Sequence, residues 1–162
     1  MIFTNGGWNM RLHWWLLALI VTLLVLPVAP ARSASLAPEL QKALDSSKYV
    51  YIQSTRKDGK LSKAAEIWFM HHNGAVWVAS PVTTHRVKRI KAGQTKAKIA
   101  VGKPDGPSFN AKGSIVKDPE VNKAMFETYA KKYASEWTSY EKKFRDSLAD
   151  GSRTLLKYEP AD

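Results

Sequence analysis

The chain contains no cysteine. Disulfides, thiolate metal sites and cysteine nucleophiles are therefore excluded together. Acid is also missing from a long central stretch. No Asp or Glu occurs from Ile67 through Pro104, although that segment carries Arg86, Lys88, Arg89, Lys91, Lys96, Lys98 and Lys103. There is no internal repeat and no low-complexity tract. No G-x-S-x-G elbow, phosphate-loop motif or Ser–His–Asp order stands out, which leaves the familiar nucleophilic and P-loop chemistries without support.

What is present is one domain's worth of chain. The 162 residues have an ordinary hydrophobic content of 44% and a net charge of +11. A charge of that size points to nucleic acid, anionic lipid or a phosphorylated ligand. Arg11 precedes an uncharged run from Leu12 to Ala31, whose centre, Trp14 to Leu26, is almost wholly apolar. Ala29-Pro30-Ala31 then supplies a small-residue exit. A basic start, an apolar middle and a small-residue exit describe a secretory signal. The rival is an uncleaved anchor with Trp14 and Trp15 at the interface. Both expectations divide the chain into residues 1–34, a signal peptide or membrane anchor, and residues 35–162, an exported domain at the periplasmic or extracytoplasmic face. Residues 32–162 hold 24 of the 25 Lys and Arg and all 14 acids, a net +10.

The exported part reads as α+β. Pro38 to Ser46 predicts a short helix. Tyr49 to Thr55 is aromatic and β-branched, a strand closed by Arg56-Lys57-Asp58-Gly59. Ser62 to Met70 predicts the returning strand, His71 to Gly74 the next turn, and Ala75 to Ala79 a third strand. Val87 and Ile90 face inward on a short basic helix that Thr83 or Thr84 caps and Gly93 ends. Lys96 to Val101 and Phe109 to Val116 predict two more strands. Asp118-Pro119 starts a helix with Val121, Met125, Tyr129 and Tyr133 on one face. A second helix presents Trp137, Tyr140, Phe144 and Leu148, and Thr154 to Tyr158 is a last strand. Six short strands with hairpin turns favour a closed or nearly closed barrel.

His85, Arg86, Lys88 and Arg89 crowd the first turns of the basic helix. Cations at a helix amino end are disfavoured by about 0.3–1 kcal/mol each unless something negative sits there. A phosphate removes that conflict. Thr83, Thr84, His85 and Arg86, with Ser80 at the preceding strand end, are therefore the expected anion cradle.

Thr55-Arg56-Lys57-Asp58-Gly59-Lys60, Ile67-Trp68-Phe69, Gly74-Ala75-Val76-Trp77-Val78 and His85-Arg86-Val87-Lys88-Arg89-Ile90-Lys91 follow each other at intervals that resemble the split-barrel flavin-binding proteins. These include the pyridoxamine 5'-phosphate oxidase-like and deazaflavin-dependent reductase-like groups. The resemblance spans Leu40 to Pro160. It implies a six-stranded split barrel with a short basic helix and two C-terminal helices, preceded here by an N-terminal hydrophobic helix. It also implies a homodimer, or a subunit of a membrane complex, with FMN at the interface; F420 and haem are the lesser alternatives. By the same resemblance Arg86 and Lys63 hold phosphate, Glu66 and Ile67 meet the isoalloxazine ring through their backbone, and Trp68 packs beside it. Two departures stand out. Lys is more usual where Arg86 stands, and Glu66 brings a negative charge near the flavin. The carboxy-terminal substrate motif of true pyridoxamine phosphate oxidases is absent.

Other constellations carry less. His71-His72 point to opposite faces of a strand, and no third ligand completes a metal site, so no metal is expected. His85 alone is a weak haem ligand. Basic residues among strand aromatics could serve single-stranded nucleic acid, but the export signal argues against that partner. Anionic lipid is the better competitor. The expected function is an exported FMN-dependent oxidoreductase acting on a small molecule. The alternative is a non-catalytic, membrane-anchored binding module of a larger complex.

Overall fold

Hairpin chemistry and helix periodicity account for most elements of the structure. It is a computed structural model that describes residues 1–2 and 35–162. The predicted N-terminal signal, anchor or hydrophobic helix lies outside the described residues. Among those described, no helix is long and apolar enough to cross a membrane.

The elements run α1 (Pro38–Ser46), β1 (Val50–Ser54), β2 (Ala65–Ile67), β3 (Met70–His72), β4 (Ala75–Pro81), α2 (His85–Lys91), β5 (Lys96–Val101), β6 (Ser108–Val116), α3 (Pro119–Lys132), α4 (Ala134–Ala149) and β7 (Arg153–Pro160). The strands form one antiparallel sheet in the order β2-β1-β5-β6-β7-β4-β3. Its two edges, β2 and β3, are consecutive in the chain. The sheet therefore curls until its edges approach, as a split barrel requires.

The seventh strand corrects the expected six. The run Ser62 to Met70 is not one strand. β2 pairs with β1, whereas β3 pairs with β4. Trp68 and Phe69 carry the chain across from one edge to the other, and aromatic hydroxyls replace the ladder there. Tyr129 donates to the Trp68 carbonyl at 3.0 Å, and the Phe69 N–H donates to the Tyr133 hydroxyl at 2.9 Å. His71 and His72 are correspondingly strand residues. The turn is only Asn73-Gly74, with φ of 50° and 69°, the twist that a two-residue hairpin prefers.

Sheet alternation divides the interior in two. The concave face and α2 bury Val50, Ile52, Val76, Val78, Val87, Ile99, Leu156 and Tyr158. The outer face of β3, β4 and β7 buries Met70, Trp77, Ala79 and Leu155 beneath Val121, Met125, Tyr129, Tyr133 and Trp137 of the α3–α4 hairpin. Asp118 caps α3, accepting from the N–H groups of Glu120 and Val121 at 2.9 and 3.2 Å. Tyr140 departs from the expected buried stripe and is 46% exposed; its ring touches only the edge of Trp68, 5.6 Å away.

Candidate functional site: a carboxylate-free cationic cleft

The β1–β2 hairpin and the start of α2 meet over a cleft of about 450 Å³. Four cations line it: Arg56 and Lys63 from the hairpin, Arg86 and Arg89 from α2. His85, Thr84, Ser54 and Ser62 complete the polar lining, and no carboxylate contributes. Strand alternation puts Val50, Ile52 and Ser54 on the inner face of β1, so a buried hydroxyl ends an apolar row. Arg89 donates from Nη1 to Ser54 Oγ at 2.7 Å. The Ser54 N–H in turn donates to Ser62 Oγ at 3.1 Å. One arm of the cleft is thereby pinned to the barrel wall.

Arg86 is held differently. Val87 and Ile90 seat α2 on the barrel, with Gly113 directly below. A Cβ added at Gly113 would lie 2.8 Å from Tyr158 Cε1 and 2.9 Å from Ile90 Cδ1. On this helix Arg86 is partly buried, and its Nη1 has no hydrogen-bond partner. Burial disfavours the guanidinium charge and lowers its pKa, with a small opposing effect from Tyr158. The Tyr158 hydroxyl is also buried and unpartnered, and burial pushes its pKa up to about 12. A desolvated guanidinium with no carboxylate beside it is costly. An anion in the cleft would offset that cost.

Arg86 and Thr84 also line a second cavity of about 220 Å³, formed with Glu66, Ile67, Trp68, Ser80, Tyr129, Phe144 and Arg153. Eight of the nine residues singled out in the sequence thus fall on two cavities that share Arg86 and Thr84. Lys63 and His85 line the first only; Glu66, Ile67, Trp68 and Ser80 line the second only. Thr83 is exposed and lines neither. Three expected roles change. The Thr84 hydroxyl donates back to the Pro81 carbonyl at 2.9 Å, so it neither caps α2 nor offers its proton to a ligand. The indole of Trp68 is engaged by four aromatic rings, stacked on Tyr133 and edge-on to Tyr129. Its faces are thus packed by the aromatic cluster while it lines the second cavity. The Glu66 carboxylate accepts from the Tyr51 hydroxyl across the β1–β2 pair, which ties its charge to the outer face.

Ser54, Arg89, Arg56 and Ser62 were not singled out. The sequence did carry a sign of Ser54, the polar residue at an inward position of an apolar alternation. A larger cavity, about 600 Å³, lies elsewhere, between α3 and the start of β7; Lys91, Lys117 and Arg153 there share the lining with Asp118 and Asp150. Its mixed charge does not select an anion. Among the described residues, no group of three His, Asp or Glu side chains could hold a metal ion.

Comparison with known proteins concerns the fold. The family model described as pyridoxamine 5'-phosphate oxidase matches residues 36–162. No curated protein matches the chain in sequence. Solved structures do match in fold. A conserved hypothetical protein from Mycobacterium tuberculosis superposes with a TM-score of 0.58 at 14% identity, over 78% of this chain and 81% of that one. General Stress Protein 26 from Bacillus anthracis gives 0.57 at 15% identity, over 75% and 86%. HutZ, the haem storage protein from Vibrio cholerae, gives 0.52 at 14% identity, over 80% and 92%.

Proposed function

The chain belongs to the pyridoxamine 5'-phosphate oxidase family, and from that premise we propose that it is an exported FMN-binding split-barrel oxidoreductase acting on a small molecule. Flavin or haem binding is the coarse function such a barrel suggests. The observation that favours a flavin phosphate is the cleft lined by Arg56, Lys63, Arg86 and Arg89 without a carboxylate. A haem would draw on one histidine, and His85 is exposed at the cleft mouth.

In this reading Arg86, Lys63 and Arg89 take the phosphate, with Ser54 and Ser62 fixing Arg89 and the hairpin. Ser80 and the backbone of Glu66 and Ile67 line the adjoining cavity, where the rest of the cofactor lies. The bound flavin supplies two-electron chemistry. The protein positions it, balances the phosphate charge and screens it from water. Export rests on the sequence of residues 1–34 and gives the reaction an extracytoplasmic setting. The second reading is a non-catalytic, membrane-anchored subunit. It is favoured by the absence of the carboxy-terminal substrate motif of true pyridoxamine phosphate oxidases.

The visible spectrum of the purified full-length chain, before and after addition of FMN, separates the two. Flavin bands that persist through gel filtration support the oxidoreductase. A colourless protein that also leaves added FMN unbound removes it and leaves the binding module.

A further inference from the structure

The α3–α4 hairpin covers the outer face of β3, β4 and β7, whereas Lys96 and Lys98 of β5 and Asn110 and Lys112 of β6 stay exposed on that side. Lys96 and Lys98 lie two apart on β5 and so share a face. Lys112 stands directly opposite Lys96 on β6. All three are exposed. Like charges opposed across a ladder destabilise a sheet. Gln53 stands opposite Lys98 on one side and Asn110 on the other. Glu159 stands opposite Lys112, but its carboxylate is taken by Lys157 at 2.6 Å. Some surface lysines elsewhere are paired, as in Lys48–Glu136 and Lys142–Asp146. The three on this face form no ion pair among the described residues.

We propose that this lysine face docks the domain on an anionic lipid bilayer. The inference is independent of the flavin site and rests on reading the uncharged Leu12–Ala31 run as a segment that delivers the chain to a membrane. Charge complementarity selects the partner. A single-strand platform stacks bases on aromatic rings, and the row Gln53, Lys98, Asn110 and the pair Lys96, Lys112 contain none. A second copy related by a two-fold axis would set lysine against lysine.

Lysine acetylation of the full chain, read by mass spectrometry, tests this on vesicles of phosphatidylcholine with and without phosphatidylglycerol. Each lysine near an anionic surface gains the equivalent of roughly fivefold in occupancy. Lys96, Lys98 and Lys112 should therefore be protected roughly fivefold on the anionic vesicles relative to the neutral ones, while Lys142 and Lys143 on α4 label equally on both. Equal labelling of the three on both vesicles overturns the proposal. So does protection by a single-stranded oligonucleotide but not by lipid, or protection in vesicle-free solution, which would mark a second copy. Co-sedimentation with neutral vesicles reports the N-terminal segment alone, so failure of the anchor reading stays distinguishable from failure of the face. The K96Q/K98Q/K112Q variant, with exposed positions only, should lose the anionic preference and keep its flavin response.

Discussion

The ring of Tyr133 lies 4.3 Å from the indole of Trp68, with the two planes 5° apart. The stack sits where the chain leaves one sheet edge for the other, and the Tyr133 hydroxyl completes it. That oxygen accepts from the Phe69 N–H at 2.9 Å and donates to the Lys48 carbonyl at 2.8 Å. One side chain from the end of α3 thus joins the approach to β1 to the β2–β3 crossing and closes the barrel's split.

Tyr133→Phe keeps the stack and removes the oxygen. A buried Phe69 N–H then lacks its acceptor, which costs about 1–3 kcal/mol. The urea unfolding midpoint should fall accordingly. An unchanged midpoint would show that the hydroxyl closes nothing.

Arg86→Ala should weaken FMN binding. Loss of one charge-assisted partner amounts to about 1.5–3 kcal/mol, or roughly 10- to 100-fold in Kd. Arg86→Lys should fall between parent and Ala, since the charge remains but the guanidinium fork is lost. Titration followed by flavin fluorescence measures both. Parent-like affinity in Arg86→Ala would contradict the phosphate assignment.

Ser54 carries Arg89 at 2.7 Å and is 5% exposed. Ser54→Ala should free the guanidinium and cost about 1 kcal/mol of stability. It should also weaken FMN binding, because Arg89 must then be ordered by the ligand. Calorimetry on the variant checks both effects. A stability loss with unaltered affinity would assign Ser54 to the fold alone.

At Gly113 the tight neighbours are the rigid, buried ring of Tyr158 and the tip of Ile90. Gly113→Ala forces α2 outward and should cost about 1–3 kcal/mol. Because Arg86 and Arg89 ride on that helix, FMN affinity should drop with it. Thermal unfolding with and without FMN provides the test, and wild-type values in both would show that the wall yields.

Lys132 sets a pH window. Its ammonium lies 3.3 Å over the Phe69 ring, and burial lowers its pKa to about 8, against a smaller raising effect of Asp45. The unfolded chain therefore holds more protons than the folded one between about pH 8 and 10.5, and stability should rise with pH across that interval. Above pH 10 the buried tyrosines oppose it. Burial raises the pKa of Tyr129, Tyr133 and Tyr158, so the unfolded state loses their protons first and stability falls. Urea unfolding from pH 7.5 to 9.5 should show the rise, and Lys132→Met should flatten it. A slope that survives in Lys132→Met would assign the window to other groups.

Local propensity accounts for the individual elements. Asp58-Gly59 and Asn73-Gly74 fix turns because their backbones reach positive φ cheaply. Asp118-Pro119 fixes a helix start, and the spacing from Val121 to Tyr133 fixes the buried face of α3. The acid-free stretch from Ile67 to Pro104 pointed to a cation-lined surface, and Arg86 lines the cleft where four cations meet. Convergence, by contrast, came from long-range packing. Arg56 and Lys63 meet Arg86 and Arg89 because the sheet curls and α2 drops onto Gly113, contacts between residues far apart in the chain. Periodicity could not divide Ser62–Met70 into two strands, since an apolar run reads alike whether it stays in one ladder or crosses between two. Nor could it foresee the partners of the Trp68 indole and the Thr84 hydroxyl. Their partners, Tyr133 and the Pro81 carbonyl, were chosen by packing, which local propensity does not encode.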